Sequence, residues 1–87
     1  MDIRKVIARN VRRVRVAQNL SQEALAIDAG VDRTHVSRIE RAIENPTVLT
    51  LERIAIALGV DFPTLFAVPK RGEPEPSLLP KGRKRRK

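Results

Sequence analysis

The sequence contains no cysteine and only one histidine, His35, in its 87 residues. Without cysteine the chain cannot form a disulfide framework, a zinc-thiolate site or a thiol nucleophile, and one histidine cannot build a histidine-based metal site alone. No apolar run approaches the length of about 18 residues that a membrane span needs, and the N-terminal residues lack the apolar region of a signal peptide. We therefore expect a cytoplasmic protein that is not an enzyme and needs no metal, cofactor or small-molecule ligand.

Aromatic residues are also scarce, at 2% of the chain, and comprise Phe62 and Phe66. Hydrophobic residues make up 41% of the sequence, which is enough for a packed core. That core must be built from alanine, valine, isoleucine and leucine. A chain of this length allows one small domain and little more.

Acidic residues are too few to balance the basic ones: 18 lysines and arginines against 10 aspartates and glutamates give a net charge of +8. Residues 69–87 hold eight basic and two acidic residues, a net of +6, together with four of the six prolines. Such a segment buries little apolar surface, so we predict a domain over residues 1–68 and a disordered basic tail over residues 69–87. We interpret the tail as a nonspecific DNA arm, with a solubility role or a localisation signal as alternatives.

Helical periodicity dominates the predicted domain. Residues 2–18 carry an apolar stripe at helical spacing, formed by Ile3, Ile7, Val11 (or Asn10), Val14 and Ala17. Four further helices are predicted over about residues 22–29, 33–41, 48–58 and 62–66. The expected N-caps of the five helices are Asp2, Ser21, Asp32, Thr47 and Asp61, and residues suited to helix ends stand at Asn19, Gly30 and Gly59. The predicted class is all-α, with five helices and short connections.

The segment from Gln22 to Arg41 has the ingredients of a helix-turn-helix, which are two short helices joined by a glycine-containing turn. A small residue is needed where the helices cross, and Ala26 is there. A residue that accepts a positive φ is needed at the turn, and Gly30 is there. Apolar side chains that can lock the second helix onto the first stand at Leu25, Ala29, Val31, Val36 and Ile39. We therefore predict a helix-turn-helix over residues 22–41.

Four sequence runs carry a family resemblance: SQEALA (21–26), GVDRT (30–34), VSRIER (36–41) and NPT (45–47), followed by the pattern of residues 51–60. Through them residues 11–66 resemble the phage-repressor/Cro-like helix-turn-helix family, also called the xenobiotic-response-element family. The run DRTHVS (32–37) also resembles the start of the recognition helix in restriction–modification controller proteins. The resemblance implies a compact, five-helix, lambda-repressor-like domain that binds double-stranded DNA, usually as a homodimer on a palindromic or repeated operator.

The recognition helix of this motif, here about residues 32–41, enters the major groove, and its N-terminal residues reach base edges. Helical spacing places four candidate base contacts on its outward side: Arg33, Thr34, Ser37 and Arg38. An arginine can bond O6 and N7 of guanine together, and the resemblance implies base contacts at Arg33, Thr34 and Arg38. The alternative for both arginines is a solvated charged face.

Phosphate contacts are expected around the same helix. The resemblance implies one at Gln22, at the start of the second helix, where backbone N–H groups attract anions. Ser21, Arg41 and Asn45 are expected to add others, with the alternative that Ser21 is only a helix cap. Arginines on the polar face of the first helix either touch phosphates or are solvated: Arg9, Arg12 and Arg13.

Two further residues are assigned a structural role. The resemblance implies a buried ion pair between the first helix and the recognition helix, formed by Arg15 and Glu40.

Ala42 stands where the family often has glycine, which disfavours a left-handed residue after the recognition helix.

A homodimer is expected because a domain of this size is marginal alone and one recognition helix reads too few base pairs for specificity. The expected interface is the fifth helix and its flank, with Val60, Phe62, Leu65 and Phe66. The alternative is that the two phenylalanines close the core of the monomer.

The leading hypothesis is a sequence-specific, homodimeric transcription regulator that acts as a repressor. The first alternative is an antitoxin-type protein that binds DNA through its helices and a toxin through its tail. A nucleic-acid binder driven by charge alone is disfavoured, because residues 1–68 carry ten basic and eight acidic residues, a net of only +2.

Overall fold

The computed structural model describes residues 2–69, which form four α-helices followed by one short 3-10 helix. The α-helices are α1 (Ile3–Ala17), α2 (Gln22–Ala29), α3 (Arg33–Glu40) and α4 (Val48–Leu58), and the 3-10 helix is Phe62–Phe66. No strand is present within residues 2–69, so the predicted all-α class is confirmed for this part of the chain. The predicted tail, apart from Pro69, lies outside the described residues.

The helices begin close to the predicted positions, but only three of the expected caps form a side-chain bond. Asp2, Ser21 and Thr47 each accept a hydrogen bond from a backbone N–H two or three residues further on. Asp32 and Asp61 stand at the N-cap positions with extended backbone, yet neither side chain makes a capping bond. The positions of these two caps were predicted correctly, but the bonds were not.

Each of the four α-helices is followed, within one or two residues, by a left-handed residue: Asn19 (φ 59°), Gly30 (φ 73°), Ala42 (φ 61°) and Gly59 (φ 72°). In each case the next N–H bonds a carbonyl in the last turn of the helix, at 3.0–3.1 Å, which satisfies an otherwise unpaired acceptor. The expectation that Ala42 disfavours this conformation was wrong. The Ile43 N–H donates to the Arg38 carbonyl at 3.1 Å, and this closing bond offsets the steric cost of a Cβ at positive φ.

The predicted fifth helix is a 3-10 helix rather than an α-helix. Its five residues include Pro63, whose ring removes a backbone donor near the start, and the Thr64 N–H bonds the Asp61 carbonyl at 2.9 Å. A short segment of this kind suits the tighter i→i+3 pattern. The five predicted helices are therefore four α-helices and one 3-10 helix within residues 2–69.

An aliphatic core lies between the helices, as the composition predicts. It takes buried residues from every element: Ile7, Val11, Val14, Leu25, Ala26, Ala29, Val36, Ile39, Leu51, Ile54, Ala55, Leu58 and Leu65. The apolar stripe predicted for α1 is correct at its centre but wrong at its ends, because Ile3 and Ala17 are exposed. The buried face of α1 also includes Val6, Ala8 and the polar Asn10.

Two amide side chains on α1 hold the ends of other elements. The buried Asn10 donates through Nδ2 to the carbonyls of Leu65 and Ala67, both at 2.9 Å. Gln18 donates through Nε2 to the Leu58 carbonyl at 2.7 Å, at the end of α4. These bonds fix the 3-10 helix and α4 against α1, and α1 in turn contacts α3.

Candidate nucleic-acid interface

The helix-turn-helix consists of α2, a turn at Gly30 and α3. The side chains expected to lock the two helices together are buried, except that Val31 is half-buried: Leu25, Ala26, Ala29, Val36 and Ile39. Helix α3 packs on one side against α2 and α1. Its opposite side faces outward, and we call this the outer face of α3.

The outer face of α3 carries the candidate base contacts. Arg33, Thr34 and Arg38 are exposed there, and Ser37 is half-buried. Ser37 is small, so a binding surface can approach the helix closely at that point. The four residues that the sequence nominates therefore lie on one side of one helix, with Arg33 and Thr34 in its first turn, where base contacts are made in this motif, and Ser37 and Arg38 one turn further along.

A buried carboxylate anchors the other side of α3. The side chain of Glu40 is 1% exposed, and Arg15 on α1 reaches it with two hydrogen bonds. Arg15 Nε donates to Oε2 at 2.7 Å and a terminal nitrogen donates to Oε1 at 2.9 Å. A bidentate contact of this kind fixes direction as well as distance, so it sets how α3 sits on α1.

Arg12 and Gln22 also bond Glu40. A terminal nitrogen of Arg12 donates to the Glu40 carbonyl at 2.8 Å, and its Nε lies 3.8 Å from the Glu40 carboxylate. Gln22 Nε2 donates to Glu40 Oε1 at 3.1 Å. Both links were missed by sequence reasoning, which considered only phosphate or solvent for these side chains. The available signal was the spacing of Arg12 and Arg15, which puts them on one face of α1.

An exposed ion pair lies on the outer face. Arg38 Nε donates to Glu44 Oε1 at 2.9 Å, and His35 Nδ1 lies 3.7 Å from Glu44 Oε2. The hydrogen bond from Arg38 holds the pKa of the Glu44 carboxyl below its ordinary value, with smaller contributions from the charges of His35 and Arg38. Glu44 was not nominated from the sequence, because it lies in the loop between α3 and α4.

The candidate phosphate contacts border the outer face. Arg41 and Asn45 are exposed, at the end of α3 and in the following loop. Ser21 is exposed as well, and its Oγ accepts the Ala24 N–H at 2.9 Å, so the cap role holds in the free protein. Gln22 is half-buried, and one of its amide hydrogens is already directed to Glu40.

The residues expected at a dimer interface differ in their burial. Leu65 is fully buried within the core of a single chain, so the expectation that it contacts a second copy is corrected. Val60, Phe62 and Phe66 are half-buried and pack against the core from outside. The rings of the two phenylalanines lie 5.2 Å apart at an angle of 49°, and both pack against the core of this chain.

Within residues 2–69, no helix combines the length and apolar character that crossing a membrane requires. No group of three or more histidine, cysteine or acidic side chains in this range could hold a metal ion.

Known proteins are similar to this chain in both sequence and fold. Residues 11–65 match the helix-turn-helix family HTH_3. Control protein C.SmaI of Serratia marcescens is 45% identical over 66 residues, which cover 76% of this chain and 79% of that protein. Control protein C.BamHI of Bacillus amyloliquefaciens is 38% identical over 71 residues, which cover 74% of this chain and 88% of that protein.

Solved structures agree with these matches. The crystal structure of a hypothetical transcription factor from Neisseria has a TM-score of 0.76 at 44% identity and covers 78% of each chain. The restriction–modification controller protein C.AhdI from Aeromonas hydrophila has a TM-score of 0.71 at 33% identity and covers 72% of this chain and 96% of that one. The chain therefore belongs to the helix-turn-helix family of the xenobiotic-response-element type, which is a family of DNA-binding transcription regulators.

Proposed function

We propose that this regulator reads a palindromic operator as a homodimer, with the outer face of α3 in the major groove, and that it acts in the cytoplasm as a repressor. The observation that carries the proposal is the contrast between the two sides of α3. Its inner side is fixed to α1 by the buried Glu40, while its outer side presents Arg33, Thr34 and Arg38 to solvent. A rigidly held helix with exposed donors suits base readout.

Base contacts are assigned to Arg33, Thr34, Ser37 and Arg38. Each arginine can bond O6 and N7 of one guanine, and the threonine offers a hydroxyl to a base edge or a methyl group to thymine. The half-buried Ser37 lies between them and allows close approach. Restriction–modification controller proteins among the relatives are the same kind of small helix-turn-helix regulator, which supports a role in control of transcription.

Phosphate contacts are assigned to Ser21, Gln22, Arg41 and Asn45. The amide nitrogen of Gln22 carries two hydrogens, and its bond to Glu40 uses one of them. The second can bond a phosphate oxygen while the first keeps the side chain anchored. Gln22 would thus link the buried carboxylate to the DNA backbone.

The homodimer is assigned to the surface around the 3-10 helix. Val60, Phe62 and Phe66 are half-buried there, and Val68 is 60% exposed. An apolar surface of this kind gains from being covered by a second copy. A dimer would also double the number of base pairs read, which specificity in a genome requires.

Selection of bound sequences from a random DNA pool tests the proposal, with full-length wild type, Arg38→Ala and Arg53→Ala at near-physiological salt. Arg53 is exposed on α4, so its replacement removes the same charge away from the outer face of α3. Wild type and Arg53→Ala are expected to enrich the same palindrome, with half-sites about 34–36 Å apart. Arg38→Ala is expected to lose the preference at one base pair of each half-site.

Each part of the proposal has its own contrary result. If folded wild type enriches no sequence, specific readout is wrong, and the antitoxin-type alternative becomes the one to test. An enriched sequence without two-fold symmetry would contradict the homodimer. In a reporter fused to the selected operator, a rise in transcription on adding the protein would contradict repression.

A further inference from the structure

The loop after α3 turns back toward the outer face of that helix. Ala42 is left-handed, and the Ile43 N–H bonds the Arg38 carbonyl at 3.1 Å, so the chain reverses within two residues. This reversal brings the side chain of Glu44 beside α3. A loop residue thereby joins the surface that carries the candidate base contacts.

Glu44 is held on the outer face by two residues of α3. Its Oε1 accepts the hydrogen bond from Arg38 Nε at 2.9 Å, and its Oε2 lies 3.7 Å from His35 Nδ1. His35 and Arg38 are three positions apart and therefore neighbours on one side of the helix. The carboxylate thus spans nearly one turn of α3 and has a defined direction.

The bond to Glu44 uses one particular donor of Arg38. A guanidinium group has five N–H donors, one on Nε and two on each terminal nitrogen. Glu44 occupies the Nε–H, so the two terminal nitrogens keep the end of the group available for a planar, bidentate contact with guanine. A carboxylate that competed with guanine would instead be expected to take the terminal pair itself.

We propose that Glu44 is a positioning residue for base readout, which holds Arg38 by its Nε so that the two terminal nitrogens meet the guanine edge. The proposal rests on the function proposed above, in particular on base contact by Arg38. Holding the arginine before binding removes rotamer freedom that the complex would otherwise have to remove. The negative charge of Glu44 also repels phosphates, which weakens binding to DNA of the wrong sequence.

Two substitutions at one position separate these effects. Glu44→Gln and Glu44→Ala remove the same charge, but only glutamine keeps an oxygen that accepts the Arg38 N–H. Glu52→Ala removes a carboxylate from the exposed surface of α4 and serves as the control. Two DNA duplexes serve as probes. The selected duplex bears the sequence that wild type selects. In the replaced duplex, the base pair at which Arg38→Ala loses its preference is exchanged for another.

The measured quantity is the ratio of the dissociation constants for the replaced and the selected duplex. Glu44→Ala is expected to lower this ratio by about two- to fivefold, the range that corresponds to one exposed charge pair. Glu44→Gln is expected to stay nearer to wild type, while both variants bind random DNA more tightly than wild type does. In an Arg38→Ala background, Glu44→Ala is expected to leave the ratio unchanged.

Several results would overturn the inference. An unchanged ratio in folded Glu44→Ala means that Arg38 needs no support from Glu44. An increased ratio means that Glu44 competes with guanine, and an equal loss in Glu44→Gln and Glu44→Ala means that the charge, not the accepting oxygen, is responsible. If wild type selects no sequence at all, the proposed function fails instead, so the two failures are distinguishable.

Discussion

A glutamate is bonded to an arginine on each side of α3, at nearly the same distance but in different surroundings. On the inner side, Glu40 Oε2 lies 2.7 Å from Arg15 Nε, with side chains 1% and 12% exposed. On the outer face, Glu44 Oε1 lies 2.9 Å from Arg38 Nε, with side chains 28% and 46% exposed. The same chemical pair therefore occurs once within the packed protein and once in contact with solvent.

Burial decides what each pair contributes. Water screens the outer pair, so its contribution to folding is small, and the terminal nitrogens of its arginine stay available to a ligand. The inner pair is shielded from water, so removing one partner leaves the other charge buried and unpaired. Glu40 also accepts hydrogen bonds from Arg12 and Gln22, so it links α1, α2 and α3. The comparison teaches that stability and recognition are separated across the width of one helix.

The largest expected effect tests this separation directly. Glu40→Ala should lower the free energy of unfolding by about 3–5 kcal/mol, because Arg15 is left largely buried without its partner. Urea denaturation followed by circular dichroism measures the change. Glu44→Ala is the matched control and should cost far less, because water screens that pair. Equal losses in the two variants would mean that burial does not distinguish the pairs.

Asn10 extends the comparison to a buried polar group on α1 that bonds the carbonyls of Leu65 and Ala67. Asn10→Ala should destabilise by about 1–3 kcal/mol, because the carbonyls of Leu65 and Ala67 lose their donor. The Asn10 Oδ1 is buried with no hydrogen-bond partner in the described part of the chain, which offsets part of that loss. Thermal and urea unfolding give the value.

Asn10→Asp is the sharper companion variant. It has the same shape, but an ionised carboxylate offers only acceptors to the two carbonyls, so the loss should exceed that of Asn10→Ala. Binding of either variant to the selected operator should match wild type under conditions where the protein is folded. A larger loss in Asn10→Ala than in Asn10→Asp would contradict the role assigned to Nδ2.

A smaller effect is expected at the turn that brings Glu44 to α3. Ala42→Gly should stabilise the protein by up to about 1 kcal/mol, because glycine adopts φ 61° without the clash of a Cβ. The greater freedom of glycine in the unfolded chain limits the gain. The reverse control is Gly59→Ala, where an added Cβ meets nothing within 4 Å, so only the positive φ of 72° opposes it. Opposite shifts in melting temperature are expected, and a loss on Ala42→Gly would contradict the account.

The helices and their limits could be predicted because local chemistry determines them. Side-chain oxygens cap α1, α2 and α4, and the predicted ends lie within about one residue of the observed ones. The left-handed Ala42 could not be predicted, since its closing hydrogen bond outweighs the intrinsic preference of alanine. The choice between 3-10 and α in the last segment likewise depends on how the chain packs against α1.

The candidate site was predictable in its outward residues and, from the family resemblance, in the buried pair of Arg15 and Glu40, but not in its other supporting bonds. Helical spacing alone turns Arg33, Thr34 and Arg38 outward. The bond from Arg12 to the Glu40 carbonyl joins residues 28 positions apart, and no local pattern indicates such a contact. Glu44 was missed for a related reason, because a loop residue reaches the helix only through the turn at Ala42.

The smallest expected effect is on the acid dependence of the outer pair. The Arg38 hydrogen bond lowers the pKa of Glu44 from its ordinary value of 4.5. A carboxyl whose pKa is lower in the folded state stabilises that state at pH values above its pKa in the unfolded chain. This contribution is lost as the pH falls through the pKa of the folded state. Glu44→Gln should therefore differ from wild type above about pH 4.5 and converge with it in stronger acid.

Carbon NMR titration of the carboxyl groups measures the cause directly. In Arg38→Ala the pKa of Glu44 should return toward its ordinary value, because the donor of the hydrogen bond is gone. The pKa of Asp2, which is lowered chiefly by the hydrogen bond from the Arg4 side chain, should stay where it is and provides the internal control. If Glu44 titrates identically in wild type and Arg38→Ala, the two side chains are not paired in solution. Holding of Arg38 by Glu44 before DNA binding would then be excluded, while the buried Glu40 pair would be unaffected.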